Sequence, residues 1–191
     1  MVATDLELHN RRRQRGVNEE VTAQIGRPLR ADSQVLVKCH LGLPVVIEVP
    51  PLLDDGTPFP TRYWLTCPLA VKRVARLESA GEIKRFEARR VSDPEFEMAL
   101  ATAHQRYESE RDLLIPPDAT RRPRGGVAGA EGGVKCLHAH YADHAAGHSN
   151  PIGREVAAEV EPLNCLIPCV LGGVRNPEWS EPSRLNLGPA R

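Results

Sequence analysis

Proline and glycine set the limits on what this chain can fold into: 17 prolines and 15 glycines lie among its 191 residues. Each proline fixes φ and removes a backbone donor, and each glycine weakens the interior of a helix or strand. Much of the chain must therefore be turn and loop, with short elements between. Aromatic residues make up only 4%, so the core those elements bury must be largely aliphatic. The length suits one domain. Basic and acidic side chains number 25 each, which argues against a nucleic-acid-binding surface. The run Arg11-Arg12-Arg13-Gln14-Arg15 reads as a phosphate contact or, more plainly, as a solvated arm.

The punctuation divides the chain into recognisable pieces. Residues 1–17 read as a charged arm, followed by a short helix that ends before Gly26. Residues 35–49 read as an antiparallel hairpin, because two β-branched runs flank His40-Leu41-Gly42-Leu43. The connection Pro50 to Pro60 excludes helix and turns at Asp55-Gly56. Thr61 to Thr66 alternates like a third strand. Cys67-Pro68 opens a helix that runs to about Ala80, with Gly81 after it.

Ser92-Asp93-Pro94-Glu95 resembles a capping box, opening a helix that reaches about Leu114. Residues 116–133 form a long Gly/Pro/Arg loop, either a lid or disordered. Val134 to Ala146 reads as a helix, Asn150-Pro151-Ile152-Gly153 as a turn, and Arg154 to Val160 as a short helix. Residues 171–191 read as a tail. The expected fold is a single α+β domain over 18–170, a small antiparallel sheet packed with three or four helices.

No signal-like segment opens the chain, and no run of 18 apolar residues occurs, so no membrane span is expected and the location reads as cytoplasmic. Thiols stay reduced there, so cysteines are expected to be buried, metal-bound or catalytic rather than paired. Cys39 lies at a strand end and Cys67 at a strand-to-helix junction, where free amides favour the thiolate. Cys136 and His140 share a face of the expected helix at i, i+4, while His138 points away. A helical Cys136 is thus within reach of His140 and out of reach of His138. Cys165 and Cys169 are also four apart, but Pro168 interrupts them, which leaves Cys169 as a bystander.

Cys39, Cys67, Cys136 and Cys165 could converge on one zinc ion or iron–sulfur cluster, with His138 as a further ligand. The plainer alternative is that each cysteine is a small buried hydrophobe.

Several strings together resemble a known family. They are Gly26-Arg27-Pro28, Asp55 to Thr61, Tyr63 to Pro68, Val134 to His138 and Asn150 to Gly153. They resemble the actinobacterial domain-of-unknown-function family 501. The resemblance implies no established activity. It implies a small cytoplasmic protein, often encoded beside an exopolyphosphatase-like protein and a septum-formation initiator. It also implies recurring cysteines at the positions of Cys39, Cys67 and Cys136. The chain departs from the family pattern at His40, where proline is more frequent.

Three functions follow as expectations. The leading one is a soluble metal- or iron–sulfur-binding protein. The second is a thiol-dependent hydrolase or transferase, with Cys67 or Cys136 as nucleophile, His140 as base, and Arg62 or Lys135 holding an anion. The third is a non-enzymatic adaptor for a protein partner in cell division or polyphosphate metabolism.

Overall fold

A computed structural model describes residues 18–183. The expected arm over 1–17 and the last residues of the expected tail lie outside the described residues. The strands form where the β-branched runs predict. β1 (Gln34–Lys38) and β2 (Pro44–Glu48) make the antiparallel hairpin, and β3 (Tyr63–Leu65) adds to the other edge of β2. Gly42 takes φ +78° in the turn, where its N–H reaches the Cys39 carbonyl at 2.9 Å. β2 is central and buried along its first four residues, whereas β1 alternates exposed and half-buried positions. That alternation suits an edge strand with one face in water.

Among the described residues, six α-helices accompany the sheet: α1 (18–25), α2 (Pro68–Ser79), α3 (Glu82–Ser92), α4 (Pro94–Asp112), α5 (Leu137–Ala145) and α6 (Pro151–Val160). This is the expected α+β architecture with more helix than the three or four elements read from the sequence. The one wholly unexpected helix is α3. Phe86 is its only buried residue, so it carries no apolar stripe to betray it. Phe86, stacked on Phe96 of α4, anchors it in the core, and ion pairs supplement that contact: Arg85 to Glu82 at 2.5 Å, Arg89 to Glu155 at 2.5 Å and Arg90 to Glu97 at 2.6 Å.

The predicted capping box is shifted by one residue. Ser92 ends α3, and the Asp93 carboxylate caps α4 by accepting the Phe96 N–H at 3.0 Å. Such a cap contributes about 1 kcal/mol.

The main core cluster joins the sheet to α2, α4, α5 and α6, with Leu69, Leu100, Leu137 and Ile152 at 1% exposure or less. It also contains Tyr63, Phe86, Phe96, Tyr107 and Tyr141, and two smaller clusters complete the buried core. Tyr107 ties α4 to the sheet, its hydroxyl accepting the N–H groups of Arg62 at 2.6 Å and Tyr63 at 3.3 Å. The segment expected as a tail begins with order. β4 (Val170–Leu171) and β5 (Val174–Arg175) form a second hairpin, and Val170 and Cys169 are buried against Leu43.

The first half of the loop over 116–133 is largely exposed, whereas its second half, from Pro123 to Ala130, packs against the fold. Fully buried Arg111 donates to the Gly125 carbonyl at 2.5 Å and the Pro123 carbonyl at 3.5 Å. Val127 is fully buried and donates its N–H to His104 Nδ1 at 3.0 Å.

Candidate functional site

Three of the strings read from the sequence meet around one cavity of about 370 Å³. The proline-rich connection brings Phe59 and Thr61, β3 brings Tyr63 to Leu65, and the start of α5 brings Lys135, Cys136, His138 and Ala139. Ala128, from the packed loop, lines it as well. The walls are mainly apolar and aromatic. Lys135 is exposed, and among the described residues no ion pair engages it.

Cys136 is not helical. It caps α5 from an extended conformation, φ −156° and ψ 120°. The helical face assumed from the sequence therefore does not apply to it. The thiol turns back to His138, with Sγ 3.8 Å from Nδ1. His140 takes no part: it is fully buried, and its Nδ1 bonds the Asn150 side-chain oxygen at 3.1 Å. Burial and the neighbouring His104 push its pKa down to about 3, so it stays neutral. The expected Cys136–His140 pair is replaced by Cys136–His138.

Glu78, near the end of α2, completes the group. Its Oε1 lies 3.2 Å from His138 Nδ1 and accepts the Leu137 N–H at 2.7 Å. That carboxylate satisfies one of the free amides at the start of α5, where the helix dipole favours negative charge. Sequence reading did not single out Glu78, because only tertiary contact brings the end of α2 to the start of α5. The ligand atoms of Glu78, Cys136 and His138 all lie within 4.8 Å of one another.

On the opposite side of the ring, His138 Nε2 bonds the Val71 carbonyl at 3.2 Å. Burial opposes a charge on His138. The hydrogen bond with Cys136 and the Glu78 carboxylate outweigh it and raise the pKa to about 9.

Cys67 departs from its expected chemistry. It occupies the cap position of α2 without a side-chain hydrogen bond there, and the nearby amides of Ala70 and Leu69 favour the thiolate, as the sequence implies. Burial overrides them and pushes its thiol up to about 11, with Cys169 and Cys165 adding repulsion. Cys67 is therefore a poor nucleophile at neutral pH. Cys169, read as a bystander, is buried and packs with Cys39, and its thiol too is pushed up by burial. All five cysteines are free. Thus of the expected metal ligands, Cys136 and His138 meet each other, while Cys39, Cys67 and Cys165 lie in a separate thiol-rich region.

Fold and site together define a small α+β protein with a thiol, an imidazole and a carboxylate gathered at the rim of an apolar cavity. The family profile described as "Protein of unknown function (DUF501)" matches residues 35–158, and the chain belongs to that family. The match spans the sheet, the cavity and α5, along with most of α6. No curated protein and no solved structure matches the chain. Among the described residues, no helix is long and apolar enough to cross a membrane.

Proposed function

We propose that this protein binds one divalent transition-metal ion of the zinc class through Cys136, His138 and Glu78, and turns its open coordination position to the cavity. The observation that carries this reading is that both the thiol and the carboxylate face the same nitrogen, His138 Nδ1, at 3.8 and 3.2 Å. In a thiol–imidazole–carboxylate relay the two partners sit on opposite ring nitrogens. Here the opposite nitrogen bonds a backbone carbonyl, as in metal-ligating histidines.

Bond lengths of about 2.0–2.3 Å around tetrahedral zinc imply edges of roughly 3.3–3.6 Å for such a mixed ligand set. The two observed separations are close to those edges before any ion draws the ligands together. Three protein ligands and one open position characterise catalytic rather than structural zinc. An ion there would polarise a bound carbonyl or phosphoryl oxygen, or lower the pKa of a bound water. The apolar walls suit a small, largely apolar molecule, and Lys135 suits an anionic group on it.

Chelator-stripped protein titrated with cobalt(II) tests this. The wild type should take up one equivalent more than the Cys136→Ser/His138→Ala variant, with a thiolate-to-cobalt band that Glu78→Gln weakens. Equal uptake by wild type and double variant refutes the reading.

A second reading, a metal-free thiol nucleophile at Cys136, is supported by the proton that His138 retains beside the sulfur. Rapid alkylation of Cys136 in stripped protein, with cobalt uptake unchanged in the double variant, would select it.

A further inference from the structure

The remaining four cysteines form a cluster that neither the cavity nor the Cys136 group uses. Cys39 leaves β1, Cys67 caps α2, and Cys165 and Cys169 lie in the segment between α6 and β4. Chain segments far apart in sequence thus supply four thiols to one region. Cys39 packs with buried Cys169 and Val170, and Cys39 and Cys165 both pack on the core that contains Cys67. His40, next to Cys39, bonds the Cys165 carbonyl at 2.9 Å, and Trp179, whose indole reaches the Cys165 sulfur, packs with the cluster that holds Cys169.

Two of the sulfurs also have N–H donors. Trp179 Nε1–H reaches Cys165 Sγ at 3.5 Å, and Gln24 Nε2–H reaches Cys169 Sγ at 3.6 Å. Cysteines that merely fill a core need no such donors. N–H groups aimed at sulfur stabilise thiolates bound to a metal and tune its potential.

We propose that Cys39, Cys67, Cys165 and Cys169 form a second site, a four-thiolate seat for a thiophilic metal centre. It shares no ligand with the Cys136 group and stands independently of the function proposed above. No three of the four sulfurs lie within 4.8 Å of one another. A single zinc ion would draw them to edges of roughly 3.8 Å, given zinc–sulfur bonds of about 2.3 Å. An iron–sulfur cluster also takes four cysteine thiolates, so metal and sulfide analysis separates the two centres.

Full-length protein purified anaerobically would be analysed for iron, acid-labile sulfide and zinc, alongside Cys165→Ser, Cys169→Ser and Cys136→Ser. Iron with matching sulfide identifies a cluster, and zinc without sulfide identifies a mononuclear centre. Either supports the site if Cys165→Ser and Cys169→Ser lose that centre while Cys136→Ser keeps it. Cys165 lies outside helix and strand and is not fully buried, so its serine variant is expected to fold, which circular dichroism would verify. A wild type free of both metals overturns the proposal, as does a centre that survives in the Cys165→Ser/Cys169→Ser double variant. Loss of the centre in Cys136→Ser alone would place it at the other site and also overturn the proposal.

Discussion

His104 has a hydrogen-bond pattern that only a neutral imidazole satisfies. Its Nδ1 accepts the Val127 N–H at 3.0 Å, and its Nε2 faces the Gly133 carbonyl at 3.0 Å. Burial lowers its pKa below the ordinary 6.5. A histidine with a depressed folded-state pKa contributes stability above 6.5 and loses it as the pH falls through the folded value. His140 acts in the same direction, so the denaturation midpoint should fall as the pH drops from 7 towards 4. His104→Gln should be less stable at pH 7 and show a flatter acid slope. A variant slope as steep as that of the wild type would assign the acid sensitivity to other groups. None of this is legible in the sequence. His104 there is one position on a helical face, and its partners come from a loop more than 20 residues away in the chain.

At the scale of elements, the clearest case is the corner between α5 and α6. The string Asn150-Pro151-Ile152-Gly153 reads as a turn, and proline at the first helical position makes it a helix start as well. The Asn150 side-chain oxygen accepts the Gly153 N–H at 2.9 Å and bonds His140, while its amide donates to Asp143 at 2.8 Å. Gly153 is required for packing: a Cβ there would collide with the His140 carbonyl and with His144 Cβ. Asn150→Ala should cost about 2–3 kcal/mol in chemical denaturation, more than the loss of an ordinary cap, because two buried groups lose their partner together. A loss near 1 kcal/mol would mean that the cap is the whole of its role.

The strands were legible because β-branched runs and turn residues act locally. The helix α3 was not, because the contacts that place it, Phe86 on Phe96 of α4 and ion pairs to α4 and α6, are tertiary. Cys136 was misread for a related reason. Helical periodicity places His140 beside it, but a residue that caps a helix leaves that periodicity and can reach its neighbour two positions on.

Across the whole molecule, Arg111 links α4 to the long loop. It is fully buried, and besides the two loop carbonyls it bonds Asp112 at 2.7 Å. Arg111→Met would leave those carbonyls unpaired while roughly preserving the side chain's bulk. The variant should retain its helical circular dichroism yet be cleaved within 116–133 much faster than the wild type in limited proteolysis. Equal cleavage rates would show that packing of Val127 alone secures the loop. Because Ala128 of this loop lines the cavity, loosening the loop should also disturb whatever the cavity binds.

By itself the sequence determined the α+β class, the hairpin over 35–49, the strings that line the cavity and the two residues Cys136 and His138. Those features depend on backbone preferences and local spacing, which act within a few residues. Only the tertiary structure decided which cysteines are neighbours, that Glu78 reaches His138, that Cys67 is too buried to act as a ready thiolate, and that the second half of the glycine-rich loop packs against the fold. These follow from contacts between segments far apart in the chain, where burial and electrostatics depend on neighbours that no local pattern names.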